Sequence, residues 1–212
     1  MYRYLIFDVD GTLIDTARAF IVSLQQLLRE RFGWEKSEEE LRFVFGIPSV
    51  DALARLGLRD DGTFIPAWEQ RVGENRRLMK LYDGIQPVLD ALKAQGWPMG
   101  VITSRTRPEV ERDFPFFGLE RYFPTVVTSS DTALHKPDPA PMRRMLELLQ
   151  ARPEECLYLG DTQYDCLCAQ RAGVKFALAG WGAMDRSGYH PDYVLRQPAE
   201  YLTLLEREGK RP

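Results

Sequence analysis

The chain has 212 residues, of which 44 % are hydrophobic and 28 % charged, with a net charge of −3; this is an ordinary globular composition, long enough to bury a sizeable core. Acidic and basic residues are interspersed without a basic excess or stripe, which argues against a nucleic-acid partner. Apolar runs are short and the first residues lead straight into a strand, so neither a membrane span nor a signal peptide is expected, and the three cysteines, Cys156, Cys166 and Cys168, lack disulfide or zinc spacing and fit reduced thiols in the cytoplasm.

In chain order, Leu5 to Phe7 reads as a short buried strand that ends in Asp8 and Asp10, with Gly11 and Thr12 following at once. In open α/β sheets ligands bind beyond the carboxyl ends of the strands. Two acids placed there repel each other and lose hydration, and a divalent cation is the simplest compensation. Ala17, Phe20, Ile21, Leu24, Leu27, Leu28 and Phe32 then recur at helical spacing, with Asp15 or Thr16 as N-cap. Leu41, Val44 and Phe45 suggest a second helix, and Val50, Leu53, Ala54 and Leu56 a third. Ile65, Trp68, Val72, Met79 and Tyr82 suggest a fourth. No strand is expected between residues 16 and 82, which read as an all-helical insertion.

Beyond it, strands and helices alternate. A helix through Val88, Leu89 and Leu92 stops at Gly96, a strand covers Met99 to Thr103, and a short helix from Glu109 to Phe114 is expected to end at Pro115. A strand follows at Thr125 to Thr128, then a helix opened by Pro139 and Pro141. The last elements are a strand at Cys156 to Leu159, a helix to Ala172, a strand at Val174 to Leu178 and a helix from Ala199 to Glu208. Such alternation predicts a Rossmann-like α/β fold, a parallel sheet with helices on both faces.

Three further strand ends carry polar groups. Thr103-Ser104-Arg105 offers a hydroxyl and backbone N–H groups able to hold an oxyanion. Lys136 stands in the segment His135-Lys136-Pro137-Asp138-Pro139, whose prolines restrict its geometry. Gly160-Asp161-Thr162 is followed by Asp165, four residues after Asp161 and on the same side of a helix start. Together these groups suit simultaneous binding of a divalent cation and a phosphoryl group.

With those motifs in order, the chain resembles the haloacid dehalogenase-like hydrolase superfamily, in Asp8-Val9-Asp10-Gly11-Thr12, in Thr103-Ser104, in Lys136-Pro137 and in Gly160-Asp161-Thr162 with Asp165. It is most similar to the phosphoglycolate phosphatase and β-phosphoglucomutase branch, which the Trp181-Gly182 pair also resembles. The resemblance implies a core formed by residues 1–15 and 83–212 and an α-helical cap at 16–82 that closes during chemistry. His135 stands where glycine is commoner, and Ser104-Arg105 replaces a frequent Asn-Lys.

The resemblance further implies a cytoplasmic Mg²⁺-dependent phosphatase acting on a small phosphorylated metabolite. Asp8 would attack phosphorus and form an aspartyl-phosphate, and Asp10 would protonate the leaving oxygen and then activate water. Mg²⁺ would be held by the Asp8 carboxylate, the Asp10 carbonyl and Asp161, with Asp165 arranging its water shell. Thr103, the Ser104 N–H and Lys136 would share the phosphoryl charge. A dehalogenase is disfavoured by Asp10; a β-phosphoglucomutase-type phosphomutase and a non-enzymatic phosphate-binding protein are the other readings. Candidate substrate contacts are Arg42, Phe45 and the Gly46-Ile47-Pro48 turn, with Arg105 on the core side. Arginines there suit a carboxylate or second phosphate, as in phosphoglycolate or pyrophosphate.

Overall fold

The computed structural model describes residues 1–44, 49–183 and 188–208. Its elements run β1 (Tyr4–Phe7), β2 (Ile14–Asp15), α1 (Ala17–Phe32), α2 (Glu38–Leu41), α3 (Ser49–Arg55), α4 (Phe64–Glu74), β3 (Lys80–Leu81), α5 (Ile85–Ala94), β4 (Met99–Ile102), α6 (Arg107–Phe117), β5 (Thr125–Val127), α7 (Ala140–Leu149), β6 (Cys156–Gly160), α8 (Gln163–Arg171), β7 (Lys175–Ala179), β8 (Tyr193–Leu195) and α9 (Glu200–Glu208). The chain divides into two compact units, Met1–Ile14 with Leu81–Pro212, and Asp15–Lys80.

The first unit is built on a six-stranded sheet in the order β5-β4-β1-β6-β7-β8, with every neighbouring pair parallel. β1 lies inside it, Phe7 pairing with Val101 of β4 and with Leu159 of β6. The carboxyl ends of three adjacent strands therefore meet, which brings Asp8, Thr103 and Asp161 to one edge. Both faces are covered, so the strands read as continuous apolar runs. On one face Ile6, Ile102, Val127, Tyr158, Phe176 and Leu178 pack with Met142 and Met145 of α7 and with the buried Cys166 and Cys168 of α8. On the other, the Phe7 ring meets Phe123 at 5.5 Å and Tyr201 of α9 at 5.6 Å between centroids. The alternation of Ile6 and Phe7 between the two faces is the two-residue period of a strand.

The second unit is helical. Its main contact sets α1 against α4, where the Trp68 indole donates to the Phe20 carbonyl at 3.0 Å and the two rings lie 6.1 Å apart. The Asp15 carboxylate accepts from the Ala17 N–H at 3.3 Å at the start of α1, and a reciprocal Ser37–Glu40 capping box opens α2.

Four expectations need correction. Pro115 does not end α6, which continues to Phe117 and stops at Gly118 in the left-handed conformation. Proline removes only its own N–H bond, and the helix still closes beyond it through the Gly118 N–H to the Pro115 carbonyl at 3.3 Å and the Leu119 N–H to the Phe114 carbonyl at 2.9 Å. Met79 and Tyr82 are not on α4: that helix ends at Asn75, whose side chain turns back to Ser23 and Gln26. The two-residue strand β3 interrupts the segment expected to be purely helical and pairs with β2. The edge strand β8 was not indicated by the hydrophobic pattern, being three residues long with Val194 exposed.

Candidate active site

The loop after β1 is shaped by its backbone. Asp8 N–H extends the ladder to the Leu159 carbonyl at 2.8 Å, and the Val9 carbonyl then accepts from the N–H groups of Thr12, Leu13 and Ile14 at 3.3, 2.9 and 2.9 Å. Gly11 sits at φ 83°, and a Cβ there would strike the Asp161 carboxylate. The loop after β7 lies against this turn. Trp181 Nε1 donates to the Thr12 carbonyl at 2.9 Å, and a Cβ on Gly182 would run into the Gly11 carbonyl group.

Asp8, Asp161 and Asp165 are all buried, and each offers a carboxylate oxygen within 4.8 Å of the other two. Lys136 lies among them, its side chain 7 % exposed, and Nζ donates to Asp8 Oδ1 and to Asp165 Oδ1, both at 2.6 Å. Asp165 is the most fully engaged. Tyr158 donates to its Oδ1 at 2.8 Å, and the Thr162 N–H and hydroxyl donate to its Oδ2 at 3.1 and 2.5 Å. Asp161 receives the Thr12 hydroxyl at 3.2 Å. The loop carrying Lys136 is itself pinned, since Arg171 Nη1 donates to the Pro137 carbonyl at 2.9 Å.

The electrostatics follow from this geometry. Three carboxylates face one ammonium, a formal excess of two negative charges in a buried place. Burial pushes Asp8 up to about 7, with Asp165 and Asp10 adding to the rise and Lys136 opposing it. Burial, then Asp8 and Asp165, raise Asp161 well above the usual carboxylate range. Burial alone would also raise Asp165, but Lys136, Thr162 and Tyr158 outweigh it and hold that group below its ordinary value. Lys136 is raised: burial acts against its charge, and the two carboxylates overcome it. Asp8 and Asp161 are thus the under-compensated pair. An all-oxygen donor set that lacks two positive charges fits a hard divalent cation such as Mg²⁺. Asp165, already holding four donor contacts, is better placed to orient Lys136 than to ligate.

A second cluster adjoins the same strand ends. Arg105 spans Asp10 with two bonds, Nε to Oδ2 at 2.9 Å and Nη2 to Oδ1 at 2.7 Å, and Nη1 donates to the fully buried Asp113 at 2.5 Å. Arg112 also grips Asp113, Nε to Oδ1 at 2.7 Å and Nη2 to Oδ2 at 2.8 Å. Among the described residues this cluster sets Arg105 and Arg112 against Asp10 and Asp113, with Glu109 also acting on both arginines. Thr103 is buried. Its N–H donates to the Val127 carbonyl at 3.0 Å and its hydroxyl accepts the Arg105 N–H at 3.2 Å, so its hydroxyl hydrogen is left to point to another acceptor. Ser104 is exposed.

The structure therefore gathers Asp8, Asp161, Asp165 and Lys136 into one group and Asp10, Arg105 and Asp113 into another. Arg42 is exposed in a 3-10 turn of the helical unit. Phe45 and the Gly46-Ile47-Pro48 turn lie outside the described residues. Asp113 and Tyr158 escape a motif-based reading. For Asp113 a signal exists: it stands with the buried Val110 and Phe114 on the apolar stripe of α6, where an unpaired acid would not be tolerated. The Tyr158 hydroxyl has no comparable mark.

Buried acids and a lysine at the carboxyl ends of neighbouring parallel strands are the arrangement of an α/β enzyme, in which ligands bind beyond those ends. The chain belongs to the haloacid dehalogenase-like hydrolase family, whose model matches residues 5–179, and is accordingly a hydrolase. It is 31 % identical over 207 residues to pyrophosphatase PpaX of Bacillus mycoides, covering 96 % of each chain, and 30 % identical over 205 residues to the Bacillus cereus protein of the same name, covering 95 % of each. Among solved structures, a Lactobacillus plantarum protein provisionally named phosphoglycolate phosphatase superposes with a TM-score of 0.87 at 27 % identity, covering 96 % of this chain and 99 % of that one. Among the described residues no helix is long and apolar enough to cross a membrane.

Proposed function

We propose that the protein is a Mg²⁺-dependent phosphatase that hydrolyses a small phosphorylated metabolite through a covalent aspartyl-phosphate on Asp8. The observation that carries this reading is the buried deficit of two positive charges around Asp8, Asp161 and Asp165. Bound there by Asp8 and Asp161, with the Asp10 carbonyl as a third donor, the cation would screen the approach of an anionic nucleophile to an anionic phosphate.

The remaining steps belong to the chain. Asp8 presents one oxygen to Lys136, which leaves the other for in-line attack and keeps the carboxylate from turning. The Thr103 hydroxyl, the Ser104 N–H and Lys136 hold the phosphoryl oxygens, where most catalysis of phosphoryl transfer arises. Asp10 protonates the leaving oxygen and takes a proton from water in the second step. The pyrophosphatase and phosphoglycolate phosphatase names of the relatives favour a substrate with a second anionic group beside the scissile phosphate.

A panel of phosphomonoesters and pyrophosphate, assayed with Mg²⁺ and with EDTA, tests the proposal. Turnover requires Mg²⁺ and falls to background in Asp8→Asn. Turnover in EDTA, or an active Asp8→Asn variant, overturns it. Release of free phosphate rather than an isomerised sugar phosphate separates it from a phosphomutase.

A further inference from the structure

Tyr158 carries a hydroxyl into an apolar face. It stands on β6 opposite Ile6 of β1 and Phe176 of β7, fully buried, with its ring 5.9 Å from that of Phe176. Methionines of α7 and cysteines of α8 share this core, where a phenylalanine would serve the packing equally well. What the hydroxyl adds is a link to the charged cluster at the end of the same strand. Burial, with Asp165 and Asp8 adding to it, holds its pKa well above the ordinary tyrosine value, so the group is a neutral donor of one proton.

That proton has two acceptors within reach, Asp165 Oδ1 at 2.8 Å and the Ile102 carbonyl at 3.4 Å, and the shorter contact takes it. Gly160 makes the approach of Asp165 feasible. Residues 158 and 160 share a face of the strand, and a Cβ at 160 would lie 2.7 Å from the Asp165 Cβ and 2.8 Å from its Cγ. Thr162 fixes Asp165 Oδ2 by its N–H and hydroxyl, which leaves Oδ1 to Tyr158 and Lys136. The Lys136 ammonium has three N–H donors. Two make short bonds, to Asp8 Oδ1 and Asp165 Oδ1 at 2.6 Å, and the third meets the Tyr158 oxygen at 3.4 Å, outside the range of a strong bond.

We propose that Tyr158 is a positioning residue for Lys136: its hydroxyl supplies part of the hydrogen bonding of Asp165 Oδ1, keeps Asp165 from drawing the ammonium away from Asp8, and leaves the weakly held third N–H of Lys136 to turn to a phosphoryl oxygen. This rests on the phosphatase reading and adds to it the residue that apportions the buried ammonium. Without the hydroxyl, Asp165 Oδ1 keeps only its bond from Lys136. The ammonium then moves toward Asp165, and Asp8 and the phosphoryl group share less of its charge. The effect of Tyr158 passes through Asp165, which distinguishes it from packing.

The test measures kcat and KM on pyrophosphate and p-nitrophenyl phosphate in Mg²⁺ for wild type, Tyr158→Phe, Asp165→Asn and the double variant. Tyr158→Phe lowers kcat on both substrates by about 3- to 10-fold, the worth of one hydrogen bond. It leaves KM unchanged, as for a group that acts on the transition state alone. In the Asp165→Asn background the same change lowers kcat no further, because the acceptor through which it acts has lost its charge. Where Asp165→Asn does not fold or turns over too slowly to measure, ¹⁵N-edited spectra of the lysine ammonium groups replace the cycle. The resonance of the buried Lys136 ammonium then shifts between wild type and Tyr158→Phe.

An unchanged kcat in Tyr158→Phe, with only the unfolding midpoint lowered, shows a packing role and overturns the proposal. A loss in kcat of equal size with and without the Asp165 charge overturns it too, as does a Lys136 ammonium resonance that is the same in both proteins. With an active wild type, each of these results removes the positioning role alone and leaves the phosphatase reading standing. No wild-type turnover of either substrate in Mg²⁺ overturns the positioning role and the phosphatase reading together.

Discussion

Replacing Lys136 by methionine keeps an unbranched chain of similar length and removes only the ammonium. That group has two ion pairs at 2.6 Å, and its side chain is 7 % exposed. Its loss leaves Asp8 and Asp165 buried without their cation. Removing one member of a buried pair costs about 3–5 kcal/mol, and each kcal/mol shifts the midpoint of a chain of this size by about 2–4 °C, so the unfolding temperature in EDTA falls by about 6–20 °C. Calorimetry of wild type and Lys136→Met in EDTA measures this directly. Adding Asp165→Asn removes one of the stranded charges, so the double variant is more stable than the sum of the two single losses implies. An unchanged midpoint for Lys136→Met, or strict additivity in the double variant, would refute the argument that charge imbalance governs this cluster.

Mg²⁺ at a hundredfold excess over Kd stabilises the wild type by about 2.7 kcal/mol, seen as a raised midpoint in a thermal shift assay, and Asp161→Asn loses most of that gain. Gly182→Ala forces a Cβ into the Gly11 carbonyl; overpacking of backbone on backbone costs about 1–3 kcal/mol, and displacing the Asp8 loop by an ångström lowers kcat about 100-fold, measured by steady-state kinetics beside the melting curve. Tyr158→Phe removes one hydrogen bond to Asp165 without changing ring packing, which destabilises by about 1 kcal/mol in denaturant titration.

The parallel sheet and the residues at its edge were legible because each strand is a continuous apolar run that stops at a polar group. Leu5 to Phe7 before Asp8 and Cys156 to Leu159 before Asp161 are such cases. β8 was not, since three residues with one exposed valine leave no period to detect. Pro115 misled because its rule describes helix interiors, and it sits in the last turn of α6. The Asp10–Arg105 pair joins positions 95 apart in sequence. Local spacing carries no information about such a pair, and Arg105 therefore read as a substrate contact on the core side, with no sign of the acids that hold it.

The contact of Gly182 and Trp181 with the Gly11–Thr12 turn also bears on how the chain matures during synthesis. Asp8 stands just before this turn, yet the backbone that braces the turn comes from 169 residues further along. β1 must first wait for β4 and β6 as neighbours, and the turn beside Asp8 then waits for the residues after β7. A nascent chain released before Trp181 should carry Asp8 in an unbraced loop and lack the proposed hydrolytic activity. The order of translation thus leaves the Asp8 turn unbraced until the residues beyond β7 have been made.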